Sequence, residues 1–320
     1  MKIDSYDAPI MLTWQLTKDC NLACLHCCTD SAPGRAMPGE LDRAQALELV
    51  RQISQADVPY VMLCGGEPTI VPHFLEVAEI LGKAGVYLKI ETNGQKFDEA
   101  LGRRLSALPI RSIQVSLDGA TQEVYAKMRP GASLESAASA ARLAVKLGMP
   151  LEVTFAPTRL NIHEAEQVID LVASLGAFRF NTGMLMRLGT AAKLWPRLEP
   201  TFIDYEKFFK LLERKESEYK GRLELCFRPF SLQDEFLARS AEPPGTLLIL
   251  PDGRVKVSAA LPYVCADLKR QSLLEAWQAY RRAWNDARVV AAMARLGQSP
   301  AALSEANELL PLYNDLPAMV

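Results

Sequence analysis

The stretch Cys20-Asn21-Leu22-Ala23-Cys24-Leu25-His26-Cys27-Cys28 decides how the rest of this chain is read. Thiols at 20, 24 and 27 are spaced to wrap one face of an iron–sulfur cube, whose four iron corners need four ligands. Three protein ligands leave one corner open to a small molecule, as catalytic metal sites keep a position open and structural ones do not. A structural zinc knuckle is the alternative, and it needs a second Cys/His pair with its own short spacing. None is near: His26 lies inside the motif, while His73 and His163 stand alone. Cys28 would close the site as a fourth ligand, but its adjacency to Cys27 makes a shared tetrahedral geometry awkward.

Forty residues on, Cys64 is followed by Gly65-Gly66-Glu67-Pro68. A Gly-Gly pair alone reads as a turn. In this order after Cys-x3-Cys-x2-Cys, it makes the chain resemble the radical S-adenosylmethionine (radical SAM) superfamily. The resemblance implies one 4Fe–4S cluster held by Cys20, Cys24 and Cys27, with the amino and carboxylate groups of SAM on the fourth iron. It implies cleavage of SAM to methionine and a 5′-deoxyadenosyl radical, the cofactor carrying the hard chemistry while the protein binds, orients and excludes water. It further implies a low-potential electron donor such as a flavodoxin or ferredoxin.

Apolar runs alternate with helix-period segments through the first two thirds, from Ile10–Leu16 to Phe178–Met184 with Ile203–Tyr219. Six such βα units predict an α/β fold, a partial (β/α)6 TIM-like barrel over residues 8–220, with its chemistry at the C-terminal strand ends. The motifs fall there in strand order: the cysteine loop, then Gly65–Pro68, then Thr92-Asn93, then Ser116-Leu117-Asp118. By the resemblance, Gly65, Gly66, Glu67 and Pro68 take the SAM ammonium. Thr92, Asn93, Ser116 and Asp118 line its ribose and methionine side, and Arg129 pairs with its carboxylate. His26 packs near the adenine, and Met186, placed with Met184 and Arg187 at the close of the sixth strand, faces the same group. Capping, turn and core roles are the plain alternatives for these residues.

After Gly221 the rhythm changes. Leu223–Phe227 reads as a short strand, and Leu247–Leu250 and Arg254–Ser258 as a hairpin about Pro251-Asp252-Gly253. An amphipathic helix over Ser272–Trp284 follows. This small α+β cap, residues 221–290 ahead of a helical tail at 291–320, resembles the SPASM or twitch extension of radical SAM enzymes. Ser258 stands where that extension carries a cysteine, so one cluster is expected. Without an auxiliary cluster to accept an electron, redox-neutral chemistry is expected: epimerisation or decarboxylation of a small natural-product intermediate such as a sugar or nucleoside. Cys265, and after it Cys226, are the candidate catalytic thiols for returning a hydrogen; a small buried hydrophobe is the plain reading of each. A SPASM-like peptide maturase and a non-catalytic metal-binding scaffold are the alternatives.

Composition sets the remaining bounds. A chain of 320 residues, 49% hydrophobic, has the size for a substantial core. A net charge of −2 with scattered basic residues gives no field for nucleic acid. No apolar run has the length to span a bilayer, and seven cysteines, an odd number, suit a reducing compartment, so a cytoplasmic location is expected.

Overall fold

In β1, Met11–Gln15, every second side chain is buried, Leu12 and Trp14 on one face and Thr13 and Gln15 on the other. The parallel strands β2 Tyr60–Cys64, β3 Tyr87–Thr92, β4 Ile110–Ser116, β5 Leu151–Thr154, β6 Arg179–Asn181 and β7 Glu224–Cys226 extend the sheet, with both faces buried in the middle of β3 and β5. Val61, Leu63, Leu88, Ile90, Ile113, Val115, Val153 and Phe180 carry the outer face, each fully buried. The computed structural model describes residues 3–228, 238–239 and 242–313.

Helices cover the outer face. Helix α1, Arg43–Gln55, buries Ala46, Leu49, Val50 and Ile53, one stripe at 3.6-residue spacing, and opens on a capping box of Asp42 and Gln45. Helices α2 Phe74–Lys83, α3 Glu99–Ser106, α4 Gln122–Met128, α5 Leu134–Lys146 and α6 Ala165–Ser174 follow their strands. In α5 the buried stripe is Ala137, Ala138, Ala140, Ala141 and Ala144, small enough for close approach to the sheet. Two short helices, α7 Gly189–Lys193 and α8 Trp195–Leu198, precede the long α9, Phe202–Glu218.

The sixth strand stops at Asn181, so Met184 and Met186 lie in the loop beyond it rather than at a strand end. The cap strands do not form a sheet of their own. Strand β8, Thr246–Ile249, pairs in parallel with β1, Leu12 opposite Leu247. Strand β9, Arg254–Lys256, folds back on β8 through a turn in which Gly253 takes a φ of +87°, and β10, Tyr263–Asp267, pairs with β9. With β11, Leu310–Pro311, beside β10, one eleven-stranded sheet results, in the order β11-β10-β9-β8-β1-β2-β3-β4-β5-β6-β7.

Helix Leu273–Ala283 packs on this extension, its Trp277 and Tyr280 stacked at 5.6 Å and Trp277 Nε1 donating to the Tyr6 carbonyl at 3.0 Å. The tail expected to be helical is so over Ala287–Gln298. It then runs as 3₁₀ turns over Pro300–Glu308 and ends in β11, Leu310–Pro311, beside β10. Residues 314–320 of that expected helix lie outside the described residues. No described helix is long and apolar enough to cross a membrane.

Candidate active site

The inner face of the barrel is polar, which a strand alternation read outward would miss. Lys89, Glu91, Gln114, Glu152 and Asn181 point the same way along β3 to β6, and they interlock. Lys89 Nζ donates to Glu152 at 2.9 Å, Asn181 Nδ2 to the same carboxylate at 2.9 Å, and Gln114 Nε2 to Glu91 at 2.8 Å. Above this floor, at the C-terminal strand ends, opens a cavity of about 440 Å³. Cys20, Cys24 and Cys27 line it together with His26, Gly65, Gly66, Thr92, Asn93, Ser116, Asp118, Arg129 and Met186.

The cysteine loop is held on three sides. Gly66 N donates to the Thr17 carbonyl at 2.7 Å and Glu67 N to that of Asp19 at 3.0 Å. A Cβ on Gly66 would meet the Asp19 oxygen at 2.0 Å, and one on Gly65, whose φ is +140°, the Thr17 oxygen at 2.4 Å. The Gly-Gly pair thus lets the second strand's loop close on the backbone that leads into Cys20, besides lining the cavity. From the other side Thr190 N donates to the Cys27 carbonyl at 2.8 Å, and Asn307 Nδ2 to that of Cys28 at 2.9 Å.

Glu67 does not line the cavity. It is fully buried, and its carboxylate accepts from Thr92 Oγ1 at 2.8 Å, Asn93 N at 2.8 Å, and Thr69 Oγ1 and N at 2.7 and 3.2 Å. Three of these donors fall on Oε1 and one on Oε2, so it fixes the third strand's loop, while Pro68 opens a buried 3₁₀ turn behind it. Asn93 extends the chain of contacts, its Nδ2 donating to Asn21 Oδ1 at 2.8 Å.

Asp118 is 1% exposed and is met by a guanidinium, an imidazole and a backbone N–H. Arg129 Nε donates to its Oδ2 at 2.7 Å and Nη2 lies at 2.6 Å, His26 Nε2 is 3.1 Å away, and Ala156 N donates to Oδ1 at 2.8 Å. Burial alone would raise this carboxyl, but Arg129 and His26 outweigh it and hold Asp118 well below the usual carboxylate range. Arg129 Nη1 also lies 3.4 Å from Cys24 Sγ. The nitrogen His26 Nδ1, buried at the cavity wall, has no partner among the described residues.

The donor set fits an iron–sulfur cube. Burial pushes the Cys20 thiol up to about 12 and raises that of Cys24, so on their own these sulfurs keep their protons; a bound metal displaces them. Donors already face the sulfurs: Leu22 N at 3.4 Å from Cys20, Arg129 at Cys24, and Ser31 N and Thr29 Oγ1 each 3.3 Å from Cys27. Among the described residues no three ligating side chains meet at one ion. A cube has no need of this, since each thiolate binds a different iron.

The two thiols expected to return hydrogen are not among the cavity's lining residues. Cys265, on β10, is fully buried with Sγ 3.5 Å from the Val255 carbonyl, inside the extension's core. Cys226 ends β7 at the opposite extreme of the sheet and is exposed. The physical reason is that the extension grows sideways from β1, which keeps its core apart from the cavity. The free thiols that do line the cavity, beyond the three motif cysteines, are Cys28 and Cys64. Glu91, Gln114, Thr154 and Asn181, which line it too, were missed; their signal is the polar residue at every second position of a buried strand.

The model of the radical SAM superfamily matches residues 14–172. Mycofactocin maturase MftC of Mycobacterium tuberculosis is 35% identical over 196 residues, 61% of this chain and 49% of that protein. The AdoMet-dependent heme synthase of Methanosarcina barkeri is 28% identical over 228 residues, 70% of this chain and 63% of that one. The chain thus spans about half the length of the maturase. Among solved structures, Streptococcus suis SuiB bound to S-adenosylmethionine superposes with a TM-score of 0.68 over 85% of this chain and 66% of that one, at 15% identity. That likeness is one of fold. A cysteine loop after the first strand, a Gly-Gly-Glu-Pro loop after the second and strand ends gathered on one cavity agree with the family match: the chain belongs to the radical SAM superfamily.

Proposed function

We propose that the chain is a radical SAM enzyme that uses a single 4Fe–4S cluster to remove a hydrogen from a peptide substrate. The observation carrying this reading is the joint lining of one cavity by Cys20, Cys24, Cys27 and the strand-end groups Thr92, Asn93, Ser116 and Asp118. When bound, the cluster supplies one-electron reduction of SAM and hence hydrogen abstraction by the cleaved adenosyl fragment. The protein's part is positional. Leu22 N, Arg129 and Ser31 N donate to the ligating sulfurs and Thr29 Oγ1 lies 3.3 Å from that of Cys27, Glu67 fixes the Thr92-Asn93 loop, and Asp118 with Ala156 N holds Arg129 and His26 at the wall. Phe155, Leu185 and Met184 line the same cavity and limit water.

A peptide replaces the sugar or nucleoside expected from the sequence. MftC and the sporulation killing factor protein SkfB of Bacillus subtilis are named for maturation, and SuiB has been solved with a precursor peptide. One cluster is supported by the separation of Cys226 and Cys265 along the sheet order. The electron donor is taken to be a low-potential flavodoxin or ferredoxin.

The test is anaerobic reconstitution followed by iron, sulfide and 5′-deoxyadenosine assays with dithionite. About four irons per chain, and 5′-deoxyadenosine whose yield rises with peptides and not with sugars or nucleosides, is the expected result. No 5′-deoxyadenosine, or an unchanged yield in Cys24→Ala, would overturn the radical reading. About eight irons would overturn the single cluster, and stimulation by nucleosides would overturn the peptide.

A further inference from the structure

Three lysines are buried among the described residues, and they are not alike. Lys89 lies 2.9 Å from Glu152, and Lys215 lies 2.6 Å from Asp170 with Glu218 and Glu166 close by. Lys256, at 2% the least exposed, has an ammonium that among the described residues reaches only the Ala259 carbonyl, at 3.1 Å. Buried charges are ordinarily paired, because leaving water without a counter-charge is costly. Here burial pushes the ammonium down to about 8.

That ammonium faces a second cavity, of about 120 Å³, between the cysteine loop and the β8–β9 hairpin. Lys18 lines it as well, and among the described residues no aspartate or glutamate does. Glu40, the nearby carboxylate, is turned to other work: it accepts from Thr17 Oγ1 at 2.8 Å and from the Lys18 and Met37 N–H groups at 2.7 Å each. Cys28, Thr29, Ser31 and Met186 are common to both cavities, so the small one opens beside the site of the proposed chemistry.

We infer that this second cavity is a carboxylate subsite, in which Lys256 Nζ, with Lys18 beside it, receives a carboxylate of the substrate whose reacting carbon lies in the larger cavity. Naming the occupant as substrate rests on the function proposed above; the anion site itself does not. A carboxylate fits better than a phosphate. The cavity holds few atoms, offers two ammonium groups and hydroxyls, and among the described residues is lined by no arginine fork or glycine nest of the kind that takes phosphate. The carboxylate has two possible sources, the C-terminus of a peptide or a small free acid.

The test is thermal unfolding of the reconstituted protein with saturating SAM, titrated with N-acetylalanine, acetate, N-acetylalaninamide and inorganic phosphate, since a ligand of the folded state raises Tm saturably. N-acetylalanine is expected to raise Tm, the neutral amide to do nothing, and Lys256→Met to weaken the effect at least about tenfold, the loss of one charged contact. Binding of N-acetylalanine much tighter than acetate assigns a peptide terminus; equal binding assigns a free acid. Without probe, Lys256→Met should unfold at the same or a higher temperature, because a lysine kept for a ligand stabilises nothing alone, whereas a structural one would be missed. If that variant does not fold, Lys256→Gln and Lys18→Met carry the same comparison. Equal binding of the amide, tighter binding of phosphate, an unchanged response in the variants, or competition with SAM would each overturn the subsite. The readout is binding, so its failure leaves hydrogen abstraction standing, and failure of SAM cleavage leaves the anion site standing.

Discussion

Replacing Arg129 by Met strips the cation from a carboxylate that has almost no contact with water. Asp118 would keep Ala156 N at 2.8 Å and His26 Nε2 at 3.1 Å, and lose two contacts at 2.6 and 2.7 Å. Removing one partner of a buried pair costs about 3–5 kcal/mol, and the remaining donors place this loss near the lower end, about 3 kcal/mol. Asp118→Asn, which leaves the guanidinium buried with only Cys24 and His26 beside it, should cost a similar amount. The double variant removes both charges, so its loss should be about 3 kcal/mol rather than the sum, a coupling of roughly 3 kcal/mol. The pH dependence follows from the sign of the shift. Asp118 sits below its unfolded value of about 3.9, so its contribution is present above that pH and is lost as pH falls toward the folded value. The deficit of Arg129→Met should therefore be full at pH 7 and shrink below about pH 4. Anaerobic urea unfolding of the four proteins at both pH values measures all of this. Additive losses within about 0.5 kcal/mol, or a deficit independent of pH, would refute the pairing.

Three further outcomes are expected. Gly66→Ala should lower bound iron without abolishing folding, because its Cβ would push the Asp19 carbonyl and with it Cys20; iron per chain equal to wild type would speak against this link. Cys226→Ala and Cys265→Ala should leave the yield of modified substrate unchanged, Cys265→Ala costing about 1–2 kcal/mol of stability as a lost core methyl-sized group; a tenfold fall in that yield with 5′-deoxyadenosine still formed would restore those thiols to the chemistry. Trp277→Ala should cost about 3–5 kcal/mol, removing a fully buried ring, its stacking on Tyr280 and its bond to Tyr6; a Tm shift under about 2 °C would contradict the packing.

The chain's local grammar was largely readable. Runs such as Tyr60–Leu63 and Ser112–Leu117 became β2 and β4 because β-branched and apolar residues there have no helical period, and Pro251-Asp252-Gly253 turns where a positive φ demands glycine. The cavity side chains at Cys20, Cys24, Thr92 and Asp118 were legible because strand ends follow from strand order. What escaped is non-local. Nothing in Leu247-Leu248-Ile249 says that its partner is Leu12-Thr13-Trp14 and not a strand of a separate cap. Likewise Glu91, Gln114 and Asn181 look like solvent-facing residues until the sheet curls and turns that face inward. The reach of Gly66 toward Asp19, too, exists only once two loops distant in sequence are folded together.

The parallel pairing of β8 with β1 has a consequence for how the chain is made. Strand β1 acquires β2 early, but its other edge stays bare until Thr246–Ile249 has left the ribosome. At about 5–20 residues per second that interval is on the order of ten to forty seconds. Throughout it, the strand that leads into the cysteine loop presents unsatisfied N–H and C=O groups to any neighbouring chain, the condition under which nascent sheets mispair. Expression yield should then depend on elongation rate and on chaperone supply, and truncation before residue 246 should send an otherwise complete barrel into inclusion bodies.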